Sequence, residues 1–233
     1  MNDDLVFEVF IFVSKNKFAI SAMKYDTSEK IYEHELLIEN NLNEFDFEKL
    51  SEFLDNNILK LEKNLNQFIK KITLILETKD FLNVQLSVKN NNNGKILTLE
   101  NLSYSLNEAK DQCEKTLENK KIIHMLIDNF RINNNDHSTL PRDLICNNYS
   151  LDINFICLSI NLVSKLEDCL QRYQISINKI ISAQYVKSYF NNKDDLFKNT
   201  KKITEGCNPN EVEFYVKTPK NKGFFEKFFN FFS

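Results

Sequence analysis

The chain has 233 residues, 42 % apolar and 27 % charged, which suits a soluble globular protein able to bury one core or two small ones. Its 30 basic and 33 acidic residues leave a net charge of -3, so no one-signed field favours nucleic acid as a partner. The apolar run Val9 to Val13 is too short for a signal segment or a membrane span, which places the chain on the cytoplasmic side. Five widely spaced cysteines with no CxxC pair suit reduced thiols rather than disulfides or a zinc site. Only Gly94, Gly206 and Gly223 are present, so no glycine-rich loop is available to wrap phosphates, and no cofactor or metal is expected.

Taken in order, Leu5 to Phe12 and Lys17 to Tyr25 read as strands at hairpin spacing across Ser14, Lys15 and Asn16. A third strand, Lys30 to Ile38, completes an antiparallel meander. Asp46 to Lys70 carries the longest helical pattern, with Phe47, Leu50, Leu54, Ile58, Leu61, Leu65 and Phe68 on one stripe and a solvated, mixed-charge face opposite. Ile72, Leu74 and Leu76 begin a fourth strand. Phe81 to Val88 reads as a strand ending in a turn at Asn90 to Gly94, and Lys95 to Leu99 as a short one. A helix follows from Leu102 to Leu117, with Leu102, Leu106, Ala109, Cys113 and Leu117 inward.

Ile122 to Ile132 is strand-like, and the polar Asn133 to Ser138 and Pro141 break it. In Leu151 to Leu158, Leu151, Ile153, Phe155 and Cys157 fall on one side and Asp152 and Asn154 on the other, a half-buried strand. The period then lengthens, putting Ile160, Val163, Leu166, Leu170 and Tyr173 on one helical face. Ile175, Ile177, Ile180 and Ile181 form a short strand, Gln184 to Phe190 another helical piece, and Asn191 to Lys222 a polar linker broken only by a short strand at Val212 to Val216. The order is α/β: a strand-helix-strand-strand unit interrupts three strands, helix, strand, then helix, strand, helix. That outer order is the one of a ribonuclease-H-like half, the building block of actin-like folds.

On this order and on three local stretches, the sequence resembles the first half of the FtsA family of actin-like cell-division proteins, which carry an inserted strand-helix-strand-strand (SHS2) subdomain. The stretches are Lys121 to Arg131 (KIIHMLIDNFR), Leu151 to Cys157, and Asn161 to Tyr173 (NLVSKLEDCLQRY), and the similarity covers roughly residues 5 to 190. The resemblance implies an actin-like subdomain over 1–81 and 159–192, the inserted subdomain over 82–158, a linker over 193–222, and a membrane-binding helix over 223–233. It implies a non-catalytic adaptor of the division machinery at the cytoplasmic face of the inner membrane, docking divisome proteins through the inserted subdomain, with self-association open. PilM, a pilus-assembly protein of the same architecture, and a degenerate actin-like ATPase are the alternatives.

The chain departs from the family where the family grips phosphate. At the first hairpin, where those proteins carry Asp-Ile-Gly-Thr, this chain has Phe12, Val13, Ser14 and Lys15. Phenylalanine is neither acid nor ligand. The second half, which in the family completes the nucleotide cleft and holds the tail of the tubulin-like FtsZ, has no counterpart after Phe190. The expectation is therefore no nucleotide, no hydrolysis, and no carry-over of FtsZ as a partner.

The last residues read GFFEKFFNFFS. At about 100° per residue, Phe224, Phe225, Phe228, Phe229, Phe231 and Phe232 fall within one arc, and Glu226, Lys227 and Asn230 in the remainder. So short a helix is marginal in water and cannot span a bilayer, whereas lying in a lipid interface buries its aromatic face. Lys220, Lys222 and Lys227 would add about 1 kcal/mol each against anionic lipid. Elsewhere, His124 lies mid-strand and reads as a packed or hydrogen-bonded residue, Asp136 and His137 as a solvated loop, and Cys157 and Cys169 as small core hydrophobes.

Overall fold

A computed structural model describes residues 7–39, 45–141, 144–191 and 195–213. Two sheets organise them. The first joins β1 (Phe7–Ser14), β2 (Lys17–Lys24), β3 (Lys30–Leu37), β4 (Lys71–Glu77) and β9 (Ser176–Ser182) in the order β3-β2-β1-β4-β9. β1, β2 and β3 are antiparallel neighbours, and β4 and β9 run parallel to β1. The antiparallel meander of three strands read from the sequence is present as β1, β2 and β3.

The sequence of β1, FEVFIFVS, is apolar nearly throughout because both its faces are covered. Val9, Ile11 and Val13 pack against α1 (Phe47–Leu65) and α3 (Ile160–Gln171). Phe10 and Phe12 face the other way, into a cluster with Ala183 of α4 (Ala183–Tyr189) and Phe197 of α5 (Leu196–Thr204). At about 1.5–3 kcal/mol per buried side chain, these two alternating sets hold helices to both faces of the sheet.

α1 is shorter than its apolar stripe suggests. Asp46 caps its first turn by accepting from the Lys49 N–H at 3.0 Å, and Asn66 ends it in the left-handed region at φ 52°. The expected continuation to Lys70 therefore fails, and Phe68 stands 78 % exposed beyond the helix.

The second sheet is interpolated between β4 and α3. It comprises β5 (Leu82–Ile96), β6 (Lys120–Ile132), β7 (Asn135–His137) and β8 (Ile145–Ser159) in the order β5-β8-β6-β7, with α2 (Leu99–Thr116) packed on one face. Leu151, Ile153, Phe155 and Cys157 point into that core as their alternation requires. The expected break at Asn90 to Gly94 is instead a bulge. β5 runs on through it, with Asn93 and Gly94 at φ 51° and 71°, and the buried Asn92 donates to the Lys95 carbonyl at 2.6 Å. Likewise Asp136 and His137 are not loop. Asn133 and Asn134, at φ 50° and 68°, make the two-residue turn of a β6-β7 hairpin.

The stretch read as linker contains α5 and a short run, residues 208–213, that lies along β6. α5 is polar overall, yet Phe197 and Ile203 are buried, and Lys201 is 1 % exposed. Its ammonium donates to the Tyr25 carbonyl at 2.5 Å and to Glu205 at 2.6 Å, which satisfies a charge that burial would otherwise penalise. Residues 214–233, with the phenylalanine tail and the expected strand beyond Glu213, lie outside the described residues.

Because Phe197 anchors α5 against Phe10, with ring centroids 6.4 Å apart, Phe197→Ala is expected to lower stability by about 3–5 kcal/mol in urea unfolding and to open residues 195–213 to protease. A change under 1 kcal/mol would mean that α5 is not part of the core.

Candidate functional site

The carboxyl ends of the parallel strands β1 and β4 open into a cleft of about 1240 Å³. Open α/β sheets place ligands at such strand ends, and the volume lies somewhat above the usual small-molecule range of roughly 300–1,000 Å³. Its floor is Phe12, Ala19 and Leu76; Phe45, Phe81, Leu196 and Phe197 wall it. Lys15 and Lys17 enter from the β1-β2 turn, Lys79 and Asp80 from the end of β4, Lys187 from α4, and Asp195 from the start of α5.

Three of these six charges are engaged in ion pairs. Lys187 bonds Glu77, Lys17 bonds Glu35, and Asp195 bonds Lys30. Asp195 also accepts from the Phe197 and Lys198 N–H groups, capping α5. Burial raises the affinity of the Asp195 carboxyl for a proton, but the Lys30 ammonium and these N–H groups outweigh it, so the group titrates below its ordinary value.

The β1-β2 turn decides what the cleft can hold. Ser14 is nearly buried, and its Oγ accepts from the Lys17 N–H at 2.9 Å and from the Asn16 N–H at 3.3 Å, while its hydroxyl donates to the Lys17 carbonyl at 3.0 Å. A phosphate held at a strand-to-strand turn needs backbone N–H groups pointing at it. Here two of them are occupied by the chain's own serine. Phe12, at the position where the resemblance sets an acid, is 5 % exposed and packs with Phe10, Ala19 and Ile75.

A second polar constellation lies where the two sheets meet. His124 of β6 is 2 % exposed, and its Nε2 accepts from the Ser182 N–H at 3.0 Å. The ring proton therefore sits on Nδ1, which donates to Glu211 Oε1 at 2.7 Å. The Tyr185 hydroxyl donates to the other Glu211 oxygen at 2.9 Å and accepts from Asn208 at 2.8 Å. Burial, reinforced by the Glu211 carboxylate, pushes the Tyr185 phenol far above its ordinary value, so it stays protonated as a donor. His124 is thus a hydrogen-bonded structural residue, as its mid-strand position suggests. Glu211, Tyr185 and Asn208 gave no such signal, being scattered through polar or short apolar stretches.

Of the residues singled out from the sequence for membrane binding, Phe224, Phe225, Phe228, Phe229, Phe231, Phe232, Lys220, Lys222 and Lys227 all lie outside the described residues. Asp136 accepts from Arg131 at 2.7 Å and from Asn129 at 3.1 Å, an exposed ion pair on a strand. All five cysteines are free thiols, and burial pushes Cys157 up to about 12, in keeping with a packed hydrophobe. Among the described residues no helix is long and apolar enough to cross a membrane, and no cluster of three or more metal-ligating side chains occurs.

No protein-family model and no curated protein matches the sequence. Solved structures that align with the chain include a PilM-PilN type IV pilus biogenesis complex, with 7 % identity and a TM-score of 0.49 over 78 % of this chain and 49 % of that one. Another is the cytoplasmic domain of EpsL, an inner-membrane component of the type II secretion system of Vibrio cholerae, with 11 % identity and a TM-score of 0.37 over 77 % and 57 %. A third, from Bacteroides thetaiotaomicron, has an actin-like ATPase fold and unknown function, with 13 % identity and a TM-score of 0.36 over 82 % and 58 %. The chain spans about half of the length of these proteins. The fold itself is mixed α/β, as the two sheets and their helices show.

Asp195 gives the cleft a defined acid response. Its folded-state affinity for protons is lowered, so the stability it confers is complete above the ordinary carboxylate value of about 3.9 and is lost as the pH falls through the lowered value. Asp195→Ala is expected to cost about 1–2 kcal/mol at pH 7 and to flatten the acid limb of stability against pH, read by thermal unfolding between pH 2 and 7. An unaltered acid limb would refute this assignment.

Proposed function

We propose that the protein is a non-catalytic scaffold, built on an actin-like half with an inserted SHS2-type subdomain, which works at the cytoplasmic face of a membrane by docking other proteins. The observation that carries this reading is the Ser14 turn. An actin-like cleft needs its first hairpin to present N–H groups to phosphate, and here the Ser14 hydroxyl takes those of Asn16 and Lys17. The sequence of the tail supplies the membrane contact, through the six phenylalanines and flanking lysines named above.

Of the machines weighed from the sequence, we place the PilM-like pilus or secretion scaffold, the alternative there, ahead of the FtsA-like division adaptor. The likenesses reported above name the former kind, which supports that order. Fluorescent fusion imaging separates the two: foci at poles or at sites of pilus or secretion assembly support the first, and a midcell band the second.

Two measurements test the scaffold reading itself. Calorimetric titration with ATP and Mg²⁺ is expected to show no binding in the micromolar range, and a micromolar Kd would overturn it. Co-sedimentation with anionic vesicles is expected to fall at least about tenfold when Phe224, Phe228 and Phe231 are replaced by Ser, since burial of each ring is worth roughly 1.5–3 kcal/mol. Unchanged sedimentation would remove the membrane contact from the proposal.

A further inference from the structure

The segment that follows α5 closes the fold in an unusual place. Ile127 donates its N–H to the Asn210 carbonyl and Val212 donates its N–H to the Met125 carbonyl, both at 2.9 Å, and Leu126 bridges Glu211 antiparallel. Residues 210–212 thus cover the edge of β6 left open beside the short β7, and the Asn210 side chain donates to the Ser138 carbonyl at 2.7 Å. Strand edges left bare recruit other strands, so the segment acts as a cover.

Very little apolar surface holds this cover down. Only Val212 of the segment packs against the core of the second sheet. What fixes it is Glu211, whose carboxylate is 17 % exposed and takes its two short bonds from groups on opposite sides of the junction: His124 on β6 and Tyr185 on α4. Glu213 adds an ion pair to Lys179 of β9 at 2.7 Å. One acidic side chain therefore joins the inserted sheet, the first subdomain and the point where the described chain runs on towards the phenylalanine tail.

We propose that residues 208–213 are a releasable latch, with Glu211 as its catch, which couples the tail to the seating of the two sheets. Latched, residues 210–212 occupy the open edge of β6. Released, six residues come free of the fold, up to about 20 Å of chain at roughly 3.3 Å per residue, and the Ile127 N–H and Met125 C=O become available to an extended segment of another chain. The link to lipid rests on the membrane reading above, whereas the latch itself rests on the described residues.

The test is residue-resolved amide hydrogen exchange on the full chain, first in solution and then on vesicles of phosphatidylglycerol and phosphatidylethanolamine. Glu211→Ala is expected to speed exchange at Ile127, Val212 and Ser182 by at least about tenfold, while amides of the β1-β2 and β5-β8 pairs keep their protection. Tyr185→Phe, which keeps the ring and removes one donor, should speed the same three amides by a smaller factor. Unchanged exchange at these amides, or an equal rise over the whole chain, would overturn the latch. For the coupling, vesicles should speed the same amides in the unmodified protein, and bound protein with unchanged exchange would overturn it. A protein that does not bind vesicles at all would instead sink the membrane reading, and the solution comparison would still decide the latch.

Discussion

A carboxylate drawn largely out of water between an imidazole and a phenol governs how the two halves of this molecule meet. Taking one donor from such a group costs about 1.5–3 kcal/mol, more than the worth of an exposed ion pair, so Glu211, His124 and Tyr185 act as one unit. Their bonds have direction, and the apolar cluster around them does not. Leu126 and Ile156 of the inserted sheet pack against Ile181, Val186 and Ile203, contacts that bring the sheets together with little preference for register. The Ser182 N–H on Nε2 and the Glu211 carboxylate on Nδ1 admit one imidazole tautomer, and so fix the register.

The same contrast explains which parts of the fold were legible in the sequence. Where burial follows a period, the pattern speaks plainly: the meander of β1 to β3, the stripe of α1, the alternation of β8 and the α3 face all stand near where their apolar residues put them. Where a polar side chain replaces a backbone partner, the pattern is silent. Asn92 bracing a bulge, Asn133 and Asn134 turning a hairpin and Asn66 stopping a helix all look in sequence like loop composition, because asparagine tolerates positive φ and bonds locally.

α5 was hidden for a related reason. Its charge density reads as linker, but one of those charges is Lys201, which points into the protein and is matched there by Glu205, Glu8 and the Tyr25 carbonyl. Composition counts a lysine as solvated whichever way it faces. The sites fared likewise. That Phe12 to Lys15 carry no acid could be read from residue types alone, whereas the network around Glu211 joins positions 87 residues apart and needed the fold to bring them together.

The Ser14 turn shows how a cleft can stand at strand ends without a ligand to complete its hairpin. The cavity is a consequence of sheet geometry: parallel strands end together at one edge, and the helices on either face diverge beyond it. Nothing about that shape requires phosphate. Once a serine hydroxyl satisfies the turn's own N–H groups, the hairpin is complete without a ligand, and the neighbouring lysines are free to pair with carboxylates, as Lys17 does with Glu35 and Lys187 with Glu77. Those pairs in turn hold β2 to β3 and α4 to β4. The rim of the cleft is thus braced by ion pairs of the chain's own side chains.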